Sequence, residues 1–187
     1  MMSQTDIKKG DILISKPSIL GDVTFNRAVI LIADFNTEGV VGFMINKPLE
    51  DSLSDLLPDV MKDFKVFDGG PVERDKLYFI HNVPDLIPGG LKIREDIFWG
   101  GYYEEVVALI EQNKIDASQI KFFLGYSGWG QLQLEEEIKE DVWLRQSDTD
   151  SQDIISCNST DFWNKKIKSL GGEYLIWSNA PDNPNYN

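Results

Sequence analysis

The chain of 187 residues has one cysteine and one histidine, and both scarcities limit its chemistry. The single cysteine, Cys157, cannot form an intramolecular disulfide or a cysteine-rich zinc site. The single histidine, His81, cannot build a metal site that needs two or three imidazoles. The sequence also lacks a phosphate-loop pattern and a complete EF-hand loop. We therefore expect no metal and no other cofactor.

Positive charge and long apolar runs are also scarce. Eighteen Lys and Arg stand against 31 Asp and Glu, which gives a formal net charge of −13. Since clustered Lys and Arg supply most non-specific affinity for nucleic acid, direct nucleic-acid binding is not expected. No apolar run reaches the roughly 18 residues that a membrane-spanning helix needs, and the first residues contain no apolar signal segment. We therefore expect no membrane insertion and a cytoplasmic location.

The apolar residues that are present favour strands in the first hundred residues. Two such runs, 28–33 and 40–45, flank Asn-Thr-Glu-Gly at 36–39, which is typical of a β-hairpin because Asn and Gly tolerate positive φ. Helical periodicity is clearest in three later segments, 102–114, 131–141 and 161–170. A strand and an acidic turn are predicted between the last two. We predict one α+β domain over residues 1–187, with antiparallel sheet, three to four helices and a frayed tail after about residue 180.

Residues 125–129, Gly-Tyr-Ser-Gly-Trp, nearly match the G-x-S-x-G elbow that exposes a catalytic serine in α/β-hydrolases. The match fails at the fifth position, where Trp129 replaces glycine. The favoured interpretation is a structural turn. The alternative is a hydrolase that uses Ser127 as nucleophile, His81 as base and an acid such as Asp68.

Three segments follow one another in a recognisable order, FNRAVILIADFNTEGVVGFMINKP at 25–48, DGGPV at 68–72 and LGYSGWGQLQLEEEI at 124–138. Together they resemble the YqgE/AlgH family of bacterial proteins, and the resemblance spans residues 10–145. The sequence departs from it in three places: Ser127 replaces the usual alanine, Leu132 replaces a glycine, and a frequent histidine of the second strand is replaced near residues 34–36. The resemblance implies a single α+β domain with curved, mainly antiparallel sheets and no known metal. It implies no established activity, although some members are labelled as transcriptional regulators.

The matching positions supply the candidate residues for a ligand or partner surface, which are Arg27, Asn46, Asp68, Gly69, Gly70, Pro71, Tyr126, Trp129, Gln133 and Glu135. Arg27 can pair with a carboxylate or phosphate, Trp129 can form a pocket wall and Gln133 can hydrogen-bond. The main hypothesis is a non-enzymatic binding or regulatory protein whose partner is an unknown protein or a small ligand. The competing interpretation is that these residues only fix turns and strand packing. A further hypothesis is a transcription-linked regulator that acts through a partner protein.

Overall fold

A computed structural model describes residues 7–17, 23–130 and 132–179 of the chain. These residues contain ten strands and six helices. In chain order they are β1 (Ile12–Ser15), β2 (Val29–Asn36), β3 (Gly39–Met44), β4 (Pro48–Ser52), α1 (Leu53–Leu56), β5 (Lys65–Asp68), β6 (Val72–His81), β7 (Leu91–Arg94), β8 (Ile97–Trp99), α2 (Tyr103–Glu111), β9 (Ile120–Trp129), α3 (Gln133–Lys139), β10 (Trp143–Gln146), α4 (Ser151–Ser156), α5 (Asp161–Leu170) and α6 (Tyr174–Ser178).

One open sheet of ten strands organises the fold. Its main order is β10-β1-β2-β3-β9-β6-β8-β7, and β5 joins it beside β9 with β4 on the outside. Every strand pair among the described residues is antiparallel except β5 with β9. The predicted class, a single-domain α+β fold with mainly antiparallel sheet, is confirmed.

The hairpin of β2 and β3 forms as the sequence predicts. Asn36 pairs with Gly39, and the Asn36 side chain accepts a hydrogen bond of 2.8 Å from the backbone N–H of Glu38. Gly39 has a φ of +146°, a conformation that residues with a Cβ rarely adopt. A bulge between Ile32 and Asp34 shifts the register of this hairpin. Glycine and asparagine therefore close the turn for the reason that the sequence suggested.

Helices cover both faces of the sheet, and β1 shows how the faces alternate. Ile12 and Ile14 belong to the core cluster that includes buried residues of α4 and α5. Leu13, which points the other way, belongs to the cluster that includes α3. A third cluster packs α1 and α2 against β5, β6 and β9. Since β1 is buried on both faces, a continuous apolar run is the sequence expected for it.

The six helices exceed the three to four predicted from the sequence. The clearest difference is α4, in the segment for which a strand and an acidic turn were predicted. Asp150 begins this helix by accepting hydrogen bonds from the backbone N–H groups of Gln152 at 2.8 Å and Asp153 at 3.4 Å. Ile154 and Ile155 then anchor the helix in the core. Part of the acidic turn is thus a capped helix start.

Two expectations concern parts of the chain that lie at or beyond the limits of this structure. The tail predicted to fray after about residue 180 lies outside the described residues, as does residue 131, the predicted start of the second helix. Among the helices that are described, none has the length and apolar character needed to span a membrane.

Candidate functional site

The sequence-predicted residues fall into three groups of contacts, which centre on Asn46, on Gly69 and Gly70, and on Trp129. Asn46 is fully buried, and its side-chain oxygen accepts a 2.9 Å hydrogen bond from the N–H of Val29. Its side-chain nitrogen donates at 2.9 Å to the carbonyl oxygen of Arg27. Both contacts are with backbone, so Asn46 fixes the chain just before β2 and has no exposed atom to offer a ligand.

Gly69 and Gly70 lie where the end of β5 passes against β9. A Cβ on Gly69 would lie 2.2 Å from the carbonyl oxygen of Gly125, and a Cβ on Gly70 would lie 2.3 Å from the carbonyl carbon of Tyr126. Ser127 is buried at the same crossing and donates a 3.1 Å hydrogen bond to the carbonyl oxygen of Gly69. These glycines are required by close backbone approach. The segment predicted as a turn at 125–129 is the end of the long strand β9.

The side chains next to Gly69 and Gly70 in the fold also make contacts within the protein. Asp68 accepts a 3.1 Å hydrogen bond from the N–H of Gly70 and forms an ion pair of 3.3 Å with Arg74. Pro71 is exposed beside this turn. The Tyr126 ring packs edge-on against the ring of Tyr78 at 5.9 Å. The turn before β6 is thus held by its own polar groups.

The structure excludes Ser127 and His81 as a catalytic pair. His81 pairs with Ile120 at one end of β9, whereas Ser127 lies near the other end. At roughly 3.3 Å per residue, the two positions are about 20 Å apart. His81 is buried, its Nδ1 accepts at 3.3 Å from the N–H of Val83, and its Nε2–H then donates at 3.0 Å to the carbonyl oxygen of Gly100. The hypothesis of a hydrolase that uses Ser127 and His81 is therefore wrong.

Burial also lowers the pKa of His81, because the charged imidazolium is poorly solvated there. His81 is thus a neutral imidazole with both nitrogens in hydrogen bonds, and its role is structural, at the end of strand β6.

Trp129 belongs to an acid-centred aromatic cluster that the sequence predicted only in part. Its indole N–H donates at 2.9 Å to Glu137, and the indole N–H of Trp143 donates to the same carboxylate oxygen at 2.7 Å. Gln133 donates to the other oxygen of Glu137 at 3.0 Å. The sequence singled out Glu135, yet Glu137 is the acid of this network. The missed signal is helical spacing, since Glu137 lies four residues after Gln133 on the same face of α3.

Arg27 differs from the other candidates because it lines one of the cavities found among the described residues. Its backbone has a φ of 53°, and its guanidinium lies 5.1 Å from the ring centre of Trp163. Trp163 is buried and donates a 2.8 Å hydrogen bond to the carbonyl oxygen of Ser15. The indole of Trp163 is held in place below the guanidinium and orients that group. The five N–H donors of the guanidinium lie in its own plane.

The cavity, which we call the Arg27 pocket, measures about 210 Å³ and is lined by Asn26, Arg27, Lys47, Thr160, Asp161 and Asn164. The loops around β2 and β3 supply its two cations, and the start of α5 supplies its remaining polar groups. Lys47 also donates to the carbonyl oxygen of Asn26, which ties the two loops together. Among the described residues, the lining contains two cations and one carboxylate, in a chain whose net charge is −13. The pocket is suited to a small ligand with negative charge.

Two other cavities in the described part of the chain contain none of the sequence-predicted residues. A cavity of about 310 Å³ between α4 and α5 is lined by Cys157, Lys165, Lys166 and neighbouring residues. Another, of about 400 Å³, lies beside residues 62–64 and 113–117. Among the described residues, no group of three or more His, Cys, Asp or Glu side chains could hold a metal ion.

A buried lysine near the first of these cavities was missed by the sequence analysis. Lys121 is 2% exposed and donates hydrogen bonds to the carbonyl oxygens of Cys157 and, at 3.5 Å, Ile155. Its Nζ lies 3.7 Å from the ring centre of Phe67. The pKa of Lys121 is lowered to about 7, mainly by burial and to a smaller extent by the nearby positive charge of Lys65. The same burial raises the pKa of Cys157.

The comparisons with known proteins agree with the three-segment resemblance. The family model described as AlgH-like matches residues 12–175. The chain belongs to the AlgH-like family. A UPF0301 protein of Cytophaga hutchinsonii is 37% identical over 183 residues, which are 97% of this chain and all of the relative. A UPF0301 protein of Chlorobaculum tepidum is 35% identical over 182 residues, with 97% and 96% coverage.

Two solved structures share the AlgH-like fold. The solution structure of AlgH from Pseudomonas aeruginosa has a TM-score of 0.73 at 22% identity, and covers 97% of this chain and 98% of its own. A crystal structure of a protein from Corynebacterium diphtheriae has a TM-score of 0.74 at 18% identity, with 96% and 95% coverage. At these identities the likeness shows the fold alone. The family is one of unknown function, so any role for this chain must come from its own residues.

Proposed function

We propose that this member of the AlgH-like family is a non-enzymatic binding protein, and that the Arg27 pocket receives a small ligand carrying a carboxylate or phosphate group. The observation that carries this proposal is the cavity itself, whose lining includes both Arg27 and Lys47. A guanidinium presents paired N–H donors that match two oxygens of a carboxylate or phosphate, and an ammonium adds a second charge.

The way in which Arg27 is held supports this proposal. Asn46 anchors the backbone of Arg27, and Trp163 lies beneath its guanidinium. Such support before binding reduces the rotamer entropy that a long cationic side chain loses when it orders around a ligand. Two family-pattern residues, Arg27 and Asn46, thus contribute to one pocket, one through its side chain and one through the backbone it fixes.

A regulatory role and a cytoplasmic location are finer parts of the same proposal. The support for a non-enzymatic role is that the one histidine and Ser127 are both engaged in hydrogen bonds inside the sheet. The support for a cytoplasmic location is the single, buried cysteine. Direct nucleic-acid binding is not part of the proposal, because the net charge of −13 opposes it.

The test is a binding titration of the full chain with inorganic phosphate and, separately, acetate, followed by amide chemical shifts. Arg27→Gln removes the fork of donors and should weaken binding by about tenfold or more, since hydrogen bonds to charged groups are worth about 1.5–3 kcal/mol. The matched control is Arg74→Gln, which makes the same charge change at an exposed arginine paired with Asp68. It should alter the affinity less than about twofold.

Thermal unfolding of each variant separates loss of binding from loss of fold. If Arg27→Gln is unfolded, Lys47→Gln provides the same test from the other cation of the pocket. Absence of saturable binding for every anion in the folded wild type would overturn the proposal. So would equal weakening by the pocket variants and by Arg74→Gln, which would indicate a response to net charge alone.

A further inference from the structure

Large apolar side chains are exposed along α2, on a part of the surface that is also acidic. Tyr102 and Tyr103 at the start of this helix are 63% and 43% exposed. Met61, in the loop between α1 and β5, is 81% exposed. Single apolar residues are common on protein surfaces, whereas contiguous groups of them mark interaction sites. The question is therefore whether these three side chains lie on one surface.

The loop that carries Met61 packs alongside α2. Val60 is buried in the core cluster that contains the apolar residues of this helix. The backbone N–H of Met61 donates a 3.0 Å hydrogen bond to a carboxylate oxygen of Glu111. At the start of the helix, burial and the nearby negative charge of Asp59 both raise the pKa of Tyr103. Residues 59–61 thus border the helix, and Met61 and Tyr103 belong to one surface.

Tyr102 extends this surface to the turn before β7. Its ring lies against Gly89, where an added Cβ would be 3.2 Å from the ring. Its backbone N–H donates a 3.1 Å hydrogen bond to the carbonyl oxygen of Pro88. The ring is therefore supported from one side and open to solvent on the other. We call this region the α2 surface, and its residues are Asp59, Met61, Tyr102, Tyr103, Glu104 and Glu111.

The acids of the α2 surface have charge that the protein leaves unpaired. Glu104 and Glu111 are both exposed and lie seven residues apart, which places them two turns apart on one side of the helix. Asp59 and Glu104 form no ion pair with any part of the chain that the structure describes. The cations nearest in sequence, Lys62 and Lys114, are at the C-terminal end of α2. Negative charge therefore surrounds the exposed tyrosines.

This charge decides which kind of partner the surface fits. A second copy of the chain would bring acids against acids, and a nucleic acid or an anionic membrane would bring phosphates against them. Arg and Lys side chains can instead pair with the carboxylates and lie over the faces of tyrosine rings. Methionine and tyrosine also supply the apolar contact that is enriched at protein interfaces. We propose that the α2 surface is a docking site for a segment of another protein that carries Arg or Lys beside apolar side chains.

The experiment uses a hexapeptide of alternating arginine and leucine with acetylated and amidated ends. It is titrated into the full chain in about 0.15 M salt, and binding is followed by amide chemical shifts. A peptide with glutamine in place of arginine is the comparison. The shifts should concentrate at residues 59–61 and 102–111. The arginine peptide should bind at least about tenfold more tightly than the glutamine peptide, because its contacts are charge-assisted.

Matched variants separate this surface from the charge of the whole chain. Asp59→Asn combined with Glu104→Gln should weaken binding of the arginine peptide about three- to tenfold. Glu136→Gln combined with Glu140→Gln removes the same charge from exposed acids in α3 and at its end, and should change the affinity less than about twofold. Tyr102→Ser removes the ring and leaves a favoured residue at the N-cap of α2, and it should weaken binding about two- to fivefold.

Thermal unfolding shows whether each variant is folded, and Met61→Gln replaces Tyr102→Ser if that variant is not. Equal weakening by the two double variants, or shifts spread over all acidic regions, would indicate net charge alone and overturn the proposal. It is equally wrong if the glutamine peptide binds as tightly or if the arginine peptide shows no saturable binding.

Sedimentation of the chain tests the rival occupant. Dimerisation that increases with concentration and is abolished by Tyr102→Ser would assign the surface to a second copy and overturn the proposal. A monomer that binds the arginine peptide at residues 59–61 and 102–111 would support it. None of the residues of the α2 surface lines the Arg27 pocket, so this inference and the anion-binding function are tested independently.

Discussion

Replacement of Lys121 by methionine should abolish a rise in stability with pH. Lys121 is an ammonium donor in the core, close to the ring of Phe67 and bonded to carbonyl oxygens at the end of α4. Burial holds its pKa near 7 against an ordinary value of 10.5. Since the unfolded chain keeps the proton where the folded chain has lost it, the free energy of unfolding rises with pH between these two values.

The magnitude follows from the size of the pKa shift. One pKa unit corresponds to about 1.36 kcal/mol, so the full shift corresponds to about 5 kcal/mol of destabilisation below pH 7. Between pH 7 and pH 9, deprotonation of Lys121 in the folded chain should raise the free energy of unfolding by about 3 kcal/mol. Above pH 9 the raised pKa of Cys157 acts in the opposite direction, because the folded thiol keeps its proton longer.

The assay is urea unfolding at several pH values between about 6 and 9 for wild type, Lys121→Met and the exposed-lysine control Lys92→Met. The difference between wild type and Lys121→Met removes the contributions of the other titrating groups. It should shrink or change sign as pH rises, whereas Lys92→Met should follow wild type throughout. A pH dependence that is the same in wild type and Lys121→Met would refute the interpretation of Lys121 as a buried, destabilised ammonium.

Three further predictions concern the residues that hold the fold around the site. Glu137→Gln should lower the free energy of unfolding by about 2–3 kcal/mol and alter tryptophan fluorescence, because a charged acceptor of two indole N–H groups is lost; Glu135→Gln should have little effect on either measurement. Asn46→Ala should cost about 2–4 kcal/mol in chemical unfolding, since two buried hydrogen bonds disappear, and a neutral result would contradict its anchoring role. Gly69→Ala should cost about 3 kcal/mol or more by thermal unfolding, because its Cβ would lie 2.2 Å from a carbonyl oxygen, whereas Gly130→Ala meets nothing within 4 Å and should be tolerated.

Local features of the fold were predictable because they depend on neighbours in sequence. The β2–β3 hairpin follows from Asn36 and Gly39 in a short connection, and α2 and α5 follow from helical periodicity. The contacts of β9 were not predictable in this way, since it pairs with β3, β5 and β6 across long stretches of chain. The role of Gly69 was not predictable for the same reason, since a distant strand is what excludes a side chain there.

The candidate site shows the same limit. Arg27 stood out in the sequence, but its pocket partners Lys47, Asp161 and Asn164 come from separate elements that only the folded sheet brings together. A motif can identify a residue that is held in a defined position. It cannot identify the side chains that will face it, because those depend on the packing of α5 against the strands.

The central position of β9 has a consequence for synthesis of the protein. Three strands made earlier, β3, β5 and β6, obtain their second neighbour only when residues 120–129 have left the ribosome, and β1 obtains its second neighbour, β10, later still. Until then their unpaired backbone edges are open to other chains. A nascent polypeptide that stalls before residue 120 would therefore be a substrate for chaperones or an aggregation hazard. Completion of the sheet thus depends on the synthesis of β9 and then of β10.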